Sequence, residues 1–196
     1  MLKSNTKEKI PDEPCIFMAN HRSYLDAILI PSNFPLVFVA KASVKNWPIF
    51  GWGGRAMDTV WVNRNSKKSR NETRKQLKIR LEKEKTILIF PEGKTHTGPE
   101  ILKLNPGMFH TVADGGFSIT AIAIEYQNPN IAFVGNDLFI PHFIKTFGSS
   151  SIRVKVRFSE LFVGNDGEQL RENVFHWLTE TTSNYRKQWD SVYNKS

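Results

Sequence analysis

Short apolar runs recur along the chain, separated by stretches whose apolar residues return every three or four positions. The runs predict strands over Ile16–Ala19, Val37–Ala40, Thr59–Val62, Thr86–Phe90, Ile119–Ile124, Ile131–Val134 and Ile152–Phe158. The longer periodic stretches predict helices over Tyr24–Ile30, roughly Ser66–Lys85, Gly107–Ala113, Leu138–Phe147 and Gln169–Trp189. In the last of these, Leu170, Val174, Leu178, Tyr185 and Trp189 fall close to helical spacing, so one face is expected to pack on a sheet. Strands alternating with helices are the mark of an α/β domain. No internal repeat or long linker interrupts the pattern, and Gly148-Ser149-Ser150-Ser151 reads as a turn between a helix and a strand.

Composition narrows the partners more than the fold. The 196 residues are 40% hydrophobic and 23% charged, ordinary values for a globular chain. No run of about eighteen apolar residues occurs, so no segment is expected to span a bilayer. Met1–Glu13 reads as neither a signal nor a transit peptide. The lone Cys15 sits in an apolar stretch and cannot form an internal disulfide, which points to a reducing, cytoplasmic setting. The formal charge of +8 favours anionic partners. Ten Lys or Arg residues against three Glu lie between Arg64 and Lys85. That run reads either as a solvated helix face or as a surface for anionic lipid or a phosphate-bearing acyl carrier. It lacks the interleaved aromatics of a single-strand nucleic-acid platform, so nucleic acid is not an expected partner.

Candidate chemistry begins at Asn20-His21-Arg22-Ser23-Tyr24-Leu25-Asp26. Within a regular helix, five residues rotate a side chain by about 140°, which would hold His21 and Asp26 apart. They meet only if His21 precedes the helix and turns back over its first turn. Ser23 suits the N-cap, with Asp26 three residues on as in a capping box. A carboxylate on one imidazole nitrogen fixes the tautomer and leaves the other nitrogen as a base for a substrate hydroxyl. Taken alone, the pair reads more readily as a capped helix beside a surface histidine.

A second constellation lies at the end of an apolar strand, in Phe90-Pro91-Glu92-Gly93-Lys94-Thr95. The carboxyl edge of an open α/β sheet is where ligands bind, and Glu92 there is placed to accept hydrogen bonds from glycerol-like hydroxyls. Gly93-Lys94-Thr95 is not a nucleotide P-loop, because Leu88 stands where that motif needs its first glycine. A third constellation is Lys41, then Trp47-Pro48-Ile49-Phe50-Gly51-Trp52, then Arg64 beyond a strand end. Arg64 suits two-pronged binding of a phosphate or carboxylate, or else simply opens the basic helix. Ile49 and Phe50 read as packing, whereas Trp47 and Trp52 fit packing or a bilayer-interface belt equally well. Serine-elbow, zinc-helix and dinucleotide signatures do not occur. His110, His142 and His176 read as surface or packed histidines, and His96 gains interest by lying beside the Glu92 turn.

In this order, the three constellations resemble the glycerolipid acyltransferase family. Asn20-His21 to Asp26 is similar to its N-H-x-x-x-x-D block. Lys41, Pro48, Gly51 and Val62-Asn63-Arg64 are similar to its second block, and Phe90-Pro91-Glu92-Gly93 to its F-P-E-G block. The resemblance covers Ile16 to Glu125. It implies a single domain over residues 1–196 with its motif core at 16–125, built on a central, mostly parallel sheet flanked by helices. It also implies an O-acyltransferase acting on a lysolipid in phospholipid biosynthesis, with acyl-CoA or acyl-ACP as co-substrate and neither metal nor cofactor. His21 would be the general base, oriented by Asp26. Arg64, Glu92 and Gly93 would hold the acceptor, its phosphate falling to Arg64 with help from Lys41. Backbone N–H groups of the His21 turn are the candidate oxyanion donors.

Three departures qualify the match. The family block often continues T-R-S after the glycine, but here Lys94-Thr95-His96 follows, so one phosphate contact is absent or supplied by Lys94. Members without that arginine include enzymes of lyso-ornithine-type aminolipids, which keeps a lyso-aminolipid acceptor open beside 1-acyl-sn-glycerol-3-phosphate. The fourth block usually holds a proline where Ala121 stands. Only twenty residues precede His21, so the hydrophobic N-terminal anchor of many relatives is expected to be missing. Peripheral attachment to the inner face of an anionic membrane would then fall to basic side chains with aromatics around Trp47–Trp52 or Phe139–Phe143. A non-catalytic, basic membrane-binding module is the competing reading.

Overall fold

A computed structural model describes residues 2–4, 10–30, 35–46, 58–63, 65–135, 137–149 and 151–193. Seven described strands form one sheet: β1 (Leu2–Ser4), β2 (Ile16–Ala19), β3 (Leu36–Lys41), β4 (Asp58–Val62), β5 (Thr86–Ile89), β6 (Ile119–Tyr126) and β7 (Ile152–Phe162). Their order is β1-β7-β6-β2-β5-β3-β4. The five strands from β6 to β4 run parallel, while β7 is antiparallel to β6 and carries β1 parallel to itself. A parallel centre needs helical crossovers and cover on both faces, which is why β2, β5 and β6 are apolar nearly throughout rather than alternating.

Side chains of β2 alternate between two cores. Ile16 and Met18 enter one face, where α2 (Lys67–Leu81), α3 (Gly107–Gly115) and α5 (Gly167–Tyr193) pack through Leu77, Phe109, Val112, Leu170, Val174 and Leu178. Phe17 and Ala19 enter the other, against Tyr24, Leu25 and the helices α1 (Asp26–Leu29) and α4 (Phe139–Phe147). The α2 helix starts where the Ser66 hydroxyl accepts from Ser69 N at 3.2 Å. It buries only Thr73, Leu77 and Leu81, four residues apart. Its remaining basic face is largely solvated, as one of the two readings of that run anticipates. At the far end, Arg80 and Lys85 both bind Asp58.

Several expected elements differ. Ile131–Val134 is not a strand: Pro129–Ile131 forms a 3₁₀ turn capped by the Asn128 side chain, and Ile131 and Ala132 are buried in a loop without a ladder partner. Pro129, lacking an N–H, suits the start of that turn. The helix expected over Tyr24–Ile30 shrinks to Asp26–Leu29, because the Asp26 carboxylate takes up the preceding N–H groups and Pro31 follows. Phe90 falls just outside β5. The three-residue β1 is too short to be read from sequence. No described helix is long and apolar enough to cross a membrane. Trp47–Trp52 and Arg64 lie outside the described residues.

Candidate active site

Strands β5, β2 and β6 are parallel neighbours, so their carboxyl ends open on one edge. That edge gathers Phe90–Glu92, Asn20–His21 and Glu125–Tyr126. Asn20 is fully buried and acts as a side-chain extension of the β2–β6 ladder. Its amide accepts from Ile124 N at 2.7 Å and donates to Ile124 O at 2.8 Å. The main chain is thereby released from the sheet one residue before His21, at a fixed place.

His21 then turns back as the five-residue spacing requires. Its Nδ1 lies 2.8 Å from Asp26 Oδ2, with the Asp26 side chain fully buried and that of His21 22% exposed. The same Oδ2 accepts from Arg22 N at 2.7 Å and Ser23 N at 2.9 Å. Oδ1 accepts from the Tyr126 hydroxyl at 2.8 Å. Burial and the neighbouring Asp26 charge push the Tyr126 phenol well above its ordinary range, so it stays a donor. The expected capping box is half made: Asp26 reaches back to Ser23 N, but the Ser23 hydroxyl caps nothing and has no hydrogen-bond partner among the described residues. The imidazole lies flat on Phe90, with centroids 4.0 Å apart and planes 16° apart. With Nδ1 engaged, Nε2 is the nitrogen left for a substrate, and among the described residues it makes no hydrogen bond.

Glu92 departs from its expected role. Its side chain is fully enclosed. Oε2 accepts from His21 N at 2.7 Å, and Oε1 accepts from His96 Nε2 at 2.8 Å and Leu102 N at 2.9 Å. Here the carboxylate ties the β5 turn to the His21 turn instead of facing an acceptor. His96 N adds a bond to His21 O at 3.3 Å. The family-like Phe-Pro-Glu-Gly block thus has a physical meaning: Phe90 supports the imidazole and Glu92 holds its backbone.

A buried ionic layer lies beneath. Arg22 is 2% exposed and donates from Nε to Glu125 Oε2 at 3.3 Å. Its guanidinium also reaches His96 Nδ1 at 2.9 Å and the carbonyls of Pro99 and Glu100 at 3.3 Å. Arg186 of α5 grips the other Glu125 oxygen. Burial raises the Glu125 pKa, with the guanidiniums of Arg22 and Arg186 opposing the rise. Sequence reasoning missed Arg22, Glu125, Arg186 and Tyr126. Only Tyr126 left a signal, as a polar-tipped residue in phase with Ile124 and Ile122, two and four positions before it.

Other expected residues are placed as follows. Lys41 ends β3 and is exposed, as is Lys94. Gly93 takes a positive φ of 79°, which a side chain would strain. Thr95, where an arginine often stands, donates its hydroxyl to Phe133 O. Ala121 lies inside β6 with its N–H on Ser159 Oγ, a bond a proline could not make. The N–H groups of His21, Arg22 and Ser23 are all taken by carboxylates, so the candidate oxyanion donors of this turn are not available. Burial pushes the Cys15 thiol up to about 11, which makes it a poor nucleophile. No group of described residues could hold a metal ion.

Comparison with known proteins gives a consistent result. The family model described as "Acyltransferase" matches residues 2–125. A lyso-ornithine lipid O-acyltransferase of Pseudomonas aeruginosa is 30% identical over 137 residues, covering 67% of this chain and 53% of that protein. A 1-acyl-sn-glycerol-3-phosphate acyltransferase of Neisseria gonorrhoeae is 30% identical over 120 residues, 60% of this chain and 47% of that one. The chain thus spans about half the length of these relatives. The crystal structure of the 1-acyl-sn-glycerophosphate (LPA) acyltransferase PlsC from Thermotoga maritima shares the fold, with a TM-score of 0.66 at 19% identity over 94% of this chain and 72% of that one.

Proposed function

The chain belongs to the acyltransferase family, and we propose that it transfers a fatty acyl group from a coenzyme A or acyl carrier protein thioester to the free hydroxyl of a lysolipid. The observation that carries this reading is the Tyr126–Asp26–His21 relay, which ends in an Nε2 unengaged among the described residues. Asp26 holds the proton on Nδ1, so Nε2 presents a lone pair. The acceptor O–H gives its proton to Nε2 as its oxygen attacks the thioester carbonyl. The tetrahedral intermediate expels the thiolate, which recovers that proton from the imidazolium. The buried Asp26 charge stabilises the imidazolium between the two transfers. No covalent acyl-enzyme is needed.

The favoured acceptor is 1-acyl-sn-glycerol-3-phosphate, its phosphate assigned to Arg64 with help from the exposed Lys41 and Lys94. A lyso-ornithine-type acceptor is the second reading, favoured by Thr95 in place of the usual arginine and by the engagement of its hydroxyl within the protein. Either substrate lies in a membrane, so the chain would work peripherally at the inner face, where cytoplasmic thioesters meet lipid. The test is thiol release from acyl-coenzyme A against a panel of lysolipids, with His21→Ala as control. His21→Ala should retain the parent's circular dichroism and lose turnover by at least about a hundredfold. Turnover equal to the parent's would sink the mechanism.

A further inference from the structure

Helix α4 is apolar on both sides. Phe139, His142, Phe143 and Thr146 turn inward: the Phe139 ring is 5.3 Å from that of Tyr24, and His142 Nδ1 is 3.1 Å from the Tyr24 hydroxyl. Beside that inward face, Ile140, Ile144 and Phe147 follow one another at four and three residues and are 57%, 66% and 53% exposed. These three form one stripe along a single helix, not apolar residues scattered singly. Leu138, just before the helix, is 73% exposed.

We infer that this face of α4 rests in the interfacial region of an anionic phospholipid bilayer, presenting the His21 loop to lipid; the inference builds on the lysolipid reading above. Two observations select a bilayer. The first is charge: α4 carries Lys145 in its last turn and no acidic residue, within a chain of net charge +8. An apolar stripe flanked by lysine matches acyl chains below and anionic head groups at their level. The second is area. Nine residues make a helix about 14 Å long, and its three exposed apolar side chains, with Leu138 just before it, offer on the order of 400 Å². A stable homodimer buries about 800 Å² on each partner, so the stripe is too small for that and adequate for shallow insertion. Position agrees as well, since the helix packs on Tyr24, three residues beyond His21 and two before Asp26. Of the two aromatic segments expected at a membrane, the inference falls on 139–143, where the phenylalanines face inward and the aliphatic residues between and after them face out.

The experiment is co-sedimentation of the full chain with vesicles of phosphatidylcholine and phosphatidylglycerol, comparing the parent with Ile140→Asn/Ile144→Asn. Both positions are exposed, so the fold should be kept, and circular dichroism checks that it is. The double variant should partition at least about tenfold less while acylating a short-chain lysolipid dissolved as monomer at the parent's rate. Undiminished vesicle binding by a folded double variant overturns the inference. So does light scattering that shows a parent dimer converted to monomer by the substitutions, because the stripe would then be a contact between copies. Binding is read without turnover. A parent that binds vesicles through α4 but acylates no lysolipid would therefore refute the proposed function and not the docking surface.

Discussion

Replacing Glu92 by glutamine separates a positioning carboxylate from one that binds the acceptor. Three N–H groups converge on Glu92, those of His21 on Oε2 and of His96 and Leu102 on Oε1. An amide has one accepting end, so its NH2 must face either His21 N or Leu102 N. The first orientation is the less costly: His96 Nδ1 accepts from Arg22 and from Gly98 N, so Nε2 keeps its proton, and the second orientation would set the NH2 against two donors. Even so, His21 N is left unsatisfied in an enclosed site, and the remaining bonds lose their charge assistance. An orphaned N–H costs about 1–3 kcal/mol and a hydrogen bond to a charged group contributes about 1.5–3 kcal/mol, so Glu92→Gln should destabilise the fold by about 2–4 kcal/mol. The loosened His21 turn should lower kcat on the order of tenfold or more while KM for the acceptor stays within about twofold. Urea denaturation gives the first quantity, through a lower midpoint at constant slope. Steady-state thiol release over a range of lysolipid concentrations gives the second. If KM rises while kcat and the urea midpoint hold, Glu92 touches the acceptor and the positioning argument is wrong.

Two further outcomes follow from the same geometry. Tyr126→Phe leaves the ring in place but removes the donor from Asp26 Oδ1, so it should cost about 1.5–3 kcal/mol in urea denaturation and lower kcat; parent-like values in both would show that the hydroxyl contributes nothing to the relay. At Asp58, burial raises the pKa, but the hydrogen bonds and charges of Arg80 and Lys85 outweigh it and leave the carboxyl below its ordinary 3.8. Its stabilisation is therefore full above that value and is lost as pH falls through the lower folded value. Asp58→Asn should cost at most about 1 kcal/mol at pH 7, since all three side chains are partly solvated, and the difference from the parent in thermal melts should shrink as pH falls below 3.8 and vanish once it has passed the lower folded value. A difference that persists there would assign the effect to packing.

What could be read from sequence depended on how local the interaction is. The alternation of strands and helices, the bounds of β2 and the requirement that His21 precede its helix all follow from periods and spacings within a few residues. The His21–Asp26 contact was legible only as a condition on that turn, and the family resemblance rather than the spacing favoured it. Misplaced elements had local causes that propensity does not weigh, such as the 3₁₀ turn at Pro129 and the helix shortened to Asp26–Leu29 by its own carboxylate. The partners of the His21 loop are of another kind. Glu92 lies 71 residues from His21, Tyr126 100 residues from Asp26, and Glu125 103 residues from Arg22. Their meeting depends on β2 lying between β5 and β6 in parallel, which brings the three strand ends to one edge. Sequence placed a glutamate beside the site but not its orientation. Only the packed sheet edge, where a buried carboxylate must be satisfied by nearby N–H groups, turned Glu92 from an expected substrate ligand into the brace behind His21.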